Sequence, residues 1–369
     1  MIAGRSARLG CCGVAVAALF AVRWAAGAEG APVLTAVQAK AEKLIDESTA
    51  ALDAHDPVRA RKLMEQAAGT GDPEAIDDLG VYIEQGVGRA PDPSKGRALM
   101  EQAAAAGSRT AKLNLGVRLM YERDPAVQAR AYAMLSDAAL DPKLARLTDY
   151  PLGRMALFGT GRPRDLALGV RLVEASLLAD QTNRDALFLT ARAYQSGWGG
   201  VTPDPRKAFG LFKRAAELGE SRAQRQVGMA LLQGDGAATA PREALDWFKK
   251  AAAAGNLDAN IDVAVMLAKG EGVTQDATEA RSWYLKAVDK GSAHALRGLG
   301  SMLAFGEGGP IDLVTGRAYL ELAAERGDPN AQSVMADWSY RPSDKDRRKI
   351  DQIKQAWVSQ HPPGGAGGP

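Results

Sequence analysis

The chain has 369 residues, 46% hydrophobic and 24% charged, with a formal charge of +2 at neutral pH. That balance is globular, and its near-neutrality argues against a nucleic-acid partner held by general electrostatics. Aromatic residues make up only 6% while glycine numbers 40, so the core is expected to rest on small side chains and leucine.

Residues 1–28 read as an export signal. Arg5 and Arg8 precede an apolar run from Leu9 to Val22, and Ala26-Gly27-Ala28 offers small residues for cleavage near Ala28. The run is short for a membrane span and Arg23 interrupts it; an uncleaved anchor is the alternative. Cys11 and Cys12 precede most of the apolar run, which argues against lipidation. Removing the three arginines of this segment takes the formal charge from +2 to −1, and both cysteines leave with it. The expected mature protein is periplasmic or secreted, without disulfides, a thiol nucleophile or a thiolate metal site.

Residues 29–55 form an N-terminal cap, with one long helix predicted from about Leu34 to Ala54. A repeat follows over residues 56–339. Gly71, Gly107, Gly219, Gly255, Gly291 and Gly327 each close an Ala-rich helix, and most are 36 residues apart. Within each period a first helix carries a small residue at its centre: Leu79-Gly80, Leu115-Gly116, Leu152-Gly153, Val227-Gly228, Val263-Ala264 and Leu299-Gly300. A central glycine costs a helix about 1 kcal/mol relative to alanine, so its recurrence predicts a close approach of two backbones. Six residues later comes Gly-x-Gly, as in Gly86/Gly88, Gly234/Gly236 and Gly270/Gly272. The second helix starts at Asp56-Pro57, Asp92-Pro93, Asp204-Pro205 or Pro241, where Asp suits the N-cap and Pro the first turn. Asp72, Ser108, Asn256, Ser292 and Asp328 follow the closing glycines as candidate caps of the next helix. Leu99, Leu211, Trp247, Trp283 and Tyr319 are expected to face the central small residues and fill the space between repeats.

Two stretches break the pattern. From Tyr121 to Tyr150 the Gly-x-Gly is lost, and the stack is expected to bend or flex there. At Gln195–Pro203 the turn is lengthened and carries Trp198, which either folds back onto the adjacent helix or serves a partner as a hot spot. Trp198, Tyr194 and Tyr121 are therefore the candidate partner-binding residues. Residues 340–360 read as a terminal capping helix with Ile350, Ile353 and Trp357 on one face, and residues 361–369 as a disordered Gly/Pro tail.

With its Leu-Gly pair, Gly-x-Gly turn, Asp and closing Ala-Ala-x-x-Gly, this pattern resembles the Sel1-like repeat, a relative of the tetratricopeptide repeat. Ala75–Gly107 and Ala259–Gly291 carry it well. The resemblance implies an all-α, right-handed α-solenoid of about eight helical hairpins, whose first helices line a concave surface for protein partners. It also implies an interaction scaffold or adaptor of the cell envelope, in signalling or in exopolysaccharide regulation or secretion. The alternative it raises is a secreted hydrolase of β-lactam or peptidoglycan-related substrates, as in cysteine-rich relatives; the mature chain lacks their cysteines.

Chemistry is sparse in the sequence. The three histidines, His55, His294 and His361, stand far apart and none has metal-ligand spacing. Gly270-x-Gly272 follows a helix and lacks the third glycine, so it is no dinucleotide loop. No catalytic residue, cofactor or metal is expected, and the partner is a protein.

Overall fold

The side chains at the 36-residue spacing cap helices as their chemistry dictates. In the computed structural model, which describes residues 35–362, Asp56 accepts from the Arg59 N–H, Asp72 from Ala75, Asp92 from Lys95, Ser108 from Ala111 and Asn256 from Ala259. Each cap satisfies one of the orphan N–H groups that open a helix. The export signal predicted over residues 1–28, and residues 363–369 of the predicted tail, lie outside the described residues. Ser108 is buried at its cap. Ser108→Ala is expected to lower stability by about 1 kcal/mol, read as a lower urea midpoint with an unchanged helical signal.

The described residues hold eighteen α-helices and no strand. They divide into two compact units. The first contains the hairpins α1 (Ala36–Asp53)/α2 (Pro57–Ala68), α3 (Pro73–Gln85)/α4 (Pro93–Ala105), α5 (Arg109–Leu119)/α6 (Pro125–Ala138) and α7 (Ala145–Phe158)/α8 (Leu166–Ala179), plus a 3-10 turn at Trp198–Gly200. The second contains α9 (Arg184–Ser196)/α10 (Pro205–Glu217), α11 (Ser221–Gln233)/α12 (Pro241–Ala253), α13 (Leu257–Lys269)/α14 (Ala277–Val288) and α15 (Ala293–Phe305)/α16 (Leu313–Glu325). Two terminal helices follow, α17 (Ala331–Asp337) and α18 (Asp344–Gln360). This is an all-α solenoid repeat, with first helices odd-numbered and second helices even-numbered through α16.

The Gly-x-Gly turn has two distinct jobs. Its first glycine ends the first helix in the left-handed region, as at Gly86 (φ 74°) and Gly270 (φ 71°). Its second glycine, also at positive φ, lies against the start of the preceding repeat's second helix. A Cβ on Gly88, Gly236 or Gly308 would enter the carbonyl of Pro57, Pro205 or Ala277, each the first residue of its helix. The motif is therefore a spacer between repeats. In the stretch predicted to bend, the hairpin α5/α6 is retained, with Asp124 capping α6 through the Ala126 N–H at 2.8 Å. The turn before it is short, and Gly161 meets Gln128, three residues further into α6 than the usual contact.

The central glycines bring the two helices of a hairpin together as expected. A Cβ on Gly80 would lie 2.8 Å from the Gly96 carbonyl oxygen, and one on Gly96 would lie 2.6 Å from that of Gly80. Two of the residues facing them differ from the expectation by one position. Phe248 faces Gly228 and Leu320 faces Gly300, where Trp247 and Tyr319 are expected, while a Cβ on Gly80 would meet both Met100, at 3.0 Å, and the expected Leu99, at 3.3 Å. One residue is a rotation of about 100° around a helix. Two of the predicted residues fill the space between repeats, as expected: Leu99 packs on the clusters to either side of it, and Trp283 packs on Ala251, Ala252 and Ala259.

Asp328 also departs from its predicted role. It does not cap α17, whose N-cap is Asn330, because its carboxylate is taken by Arg297 and His294 and by the Asn330 N–H. Helix α18 packs along α16. Ile350 and Trp357 are buried beneath it and Ile353 half-buried, while Arg347 and Lys354 reach Glu321 of α16. The Trp357 indole N–H donates to the Val288 carbonyl at the end of α14, 3.2 Å away.

Candidate protein-binding surface

Polar side chains bridge the first helices of successive repeats. In the first unit the Asn114 amide of α5 donates to Asp77 of α3 at 2.8 Å, and the Arg118 Nε donates to both Glu84 oxygens at 2.9 Å. In the second unit Arg222 of α11 donates to Asp185 of α9 at 2.9 Å, and Arg225 donates to Asp262 of α13. Partly exposed pairs of this kind contribute on the order of 0–1 kcal/mol each, so their main effect is to fix how one first helix sits beside the next. Asp77 is different. It is fully buried, one oxygen has no hydrogen-bond partner, and burial, helped by the nearby Asp78 charge, pushes its carboxyl up to about 8. It is thus a neutral acid at pH 7.

The three candidate residues fall in different settings. Trp198 is the middle residue of its Gly-x-Gly, half-buried, in a turn one residue longer than the others. The additional residue is Gly200, at φ 86° with open space around it. The turn packs on α8, and a Cβ on Gly199 would lie 2.7 Å from the Leu166 carbonyl oxygen.

Tyr194 belongs to the second unit and is half-buried, with the Lys207 ammonium 3.7 Å from its ring centre. It borders an open groove of about 760 Å³ walled by Thr202, Pro203 and Arg206. Tyr121 belongs to the first unit and is 58% exposed. Its ring contact is with the Arg154 guanidinium of α7, at 4.6 Å. The same guanidinium lies 5.4 Å from the centre of the Phe158 ring, which is 50% exposed.

Arg154 and Phe158 were not singled out from the sequence, though a signal for Phe158 exists. Tyr121 stands five residues after Gly116 and Phe158 five residues after Gly153, so the two aromatics share a register in successive repeats. Phe305, five residues after Gly300, holds the same position in the second unit and is 54% exposed.

Stacked helical hairpins, joined by spacer turns and bridged through their first helices, define the chain as a helical-repeat protein. Seven stretches match the Sel1 repeat: residues 52–72, 73–108, 150–176, 184–220, 221–256, 257–292 and 293–328. The chain belongs to the Sel1 repeat family. The third hairpin, α5/α6, falls in the unmatched residues between 108 and 150, where the Gly-x-Gly is missing. Sel1 repeat proteins are generally protein-interaction scaffolds, and the fold is typically non-catalytic.

Among solved structures, the chain is similar to a Sel1 repeat protein from Oxalobacter formigenes. The two are 21% identical, the match covers 70% of this chain and 99% of that one, and the TM-score is 0.55. A protective antigen of uropathogenic Escherichia coli strains is also 21% identical, over 88% of this chain and 85% of its own, with a TM-score of 0.47. A comparison with curated proteins gives no match.

Proposed function

We propose that the protein is an exported interaction scaffold that binds a protein partner in the cell envelope through side chains exposed at, or just past, the ends of its first helices. The observation that carries this reading is the recurrence of exposed aromatic residues at one register, at Tyr121, Phe158 and Phe305, in a fold whose cores are built mainly from small and aliphatic side chains. Aromatic residues left exposed at repeated positions are the usual anchors of protein interfaces. Export is supported by the basic, apolar and small-residue order of residues 1–28. Among the described residues no helix is long and apolar enough to cross a membrane. A role in envelope signalling, or in exopolysaccharide regulation or secretion, belongs to this proposal.

Crosslinking in intact cells, followed by recovery of the protein, tests it. A discrete envelope protein is expected among the products, at reduced yield with Trp198→Ala or Tyr121→Ala. Recovery of nothing specific from wild type, or yields unmoved by either variant, overturns the scaffold reading in this form. Fractionation is expected to find a shortened chain outside the cytoplasm; full-length protein in the cytoplasm removes the export claim.

A further inference from the structure

Arginines on the first helices differ in what they meet. Arg118, Arg222 and Arg225 each pair with a carboxylate of a neighbouring first helix. Arg154, also on a first helix, has no carboxylate in ion-pair reach among the described residues. Its guanidinium instead lies over Tyr121 and Phe158. Both rings are at least half-exposed, and Arg154 itself is only half-buried.

Stacking against ring faces holds a guanidinium flat while leaving its N–H edge unused. That edge is the geometry that takes a carboxylate through two parallel hydrogen bonds. The two rings flank it with apolar surface, and a charged group bordered by aromatics is the usual composition of an interface hot spot.

We infer that Tyr121, Arg154 and Phe158 form a docking site for a protein segment that places an Asp or Glu carboxylate beside an apolar side chain. The carboxylate meets the guanidinium edge, and the apolar neighbour packs on Tyr121 or Phe158. Charge complementarity selects this occupant. Among the described residues no carboxylate pairs with the cation, and an apolar segment alone would leave its N–H groups buried and unpaired, at a cost in affinity. The site rests on the scaffold reading and gives it a partner chemistry.

The probe is a phage-displayed library of random nine-residue peptides selected on the purified protein, with selected peptides then synthesised and titrated by fluorescence anisotropy. The expected peptides carry Asp or Glu within two positions of Leu, Phe or Met. Arg154→Ala is expected to weaken their binding about tenfold or more, and the Tyr121→Ala/Phe158→Ala pair to a similar extent. Arg154→Lys, which keeps the charge and loses the planar fork, is expected to weaken it about fivefold. All three positions are partly or largely exposed, so the helical signal of each variant should match wild type. Selected peptides without an acid, or with unchanged affinity for Arg154→Ala, overturn the site while leaving a scaffold that binds elsewhere. Selection of no peptide also overturns it, and the crosslinking experiment then decides the scaffold reading separately.

Discussion

Gly236→Ala is expected to destabilise the protein by about 3 kcal/mol, whereas Gly255→Ala is expected to cost only about 1 kcal/mol. Both glycines sit at positive φ, 76° and 93°, so both substitutions carry the left-handed penalty of a side chain. The surroundings differ. A Cβ on Gly255 meets nothing within 4 Å, while one on Gly236 enters the Pro205 carbonyl and comes within 3.0 Å of the Arg206 nitrogen. These are backbone atoms at the start of a helix and cannot rotate aside, so α10 must shift. Urea unfolding of the two variants side by side measures the difference. Equal midpoints would remove the spacer role assigned to the second glycine of the turn.

The second large effect is at Asp77, and its direction is the reverse. Asp77→Asn is expected to stabilise the protein at pH 8 by about 3 kcal/mol and to be nearly neutral at pH 4. In the folded protein Asp77 keeps its proton up to about pH 8, against a value of 3.8 when unfolded. Between those values the folded state binds more protons than the unfolded state, so wild-type stability falls as pH rises, by about 1.4 kcal/mol per unit. The loss is absent below the lower value and complete above the upper one. Relaxation around the charge, with Arg118 nearby, keeps the total below the limit of that window. An asparagine retains the bond from Asn114 without a charge to bury. Unfolding midpoints of both proteins across pH 4–9 test this; a constant difference between them would mean that Asp77 is ionised in the folded state.

The repeat was legible because its punctuation is chemical. Asp-Pro pairs, closing glycines and small residues at helix centres each answer a backbone requirement, and those requirements recur at one spacing. The residues opposite Gly228 and Gly300 differ by one from the expected ones because spacing identifies a helix face only to within one rotation step. Phe248 and Trp247 are both apolar, and only the packed hairpin separates them. Asp77 was illegible for another reason. An acid on a helix ordinarily faces water, and its burial depends on Asn114 arriving from the next repeat. Asp328 followed a closing glycine like a cap, but Arg297 and His294 reach it from α15. Arg154 likewise takes its meaning from Tyr121, a residue of the preceding repeat, which no local pattern announces.

The spacer turn has a consequence for how such arrays diversify. Repeats touch there through a glycine and, in most copies, the main chain of the preceding helix, so the contact asks almost nothing of the residue between the two glycines. That residue is Val87, Thr160, Trp198, Asp235, Glu271 and Glu307 in successive turns: aliphatic, hydroxyl, indole and three acids. The pitch of the array is thereby uncoupled from the chemistry it displays. A chain built this way can exchange its presented side chains one repeat at a time, in evolution or at the bench, without renegotiating the stacking of the helices that carry them.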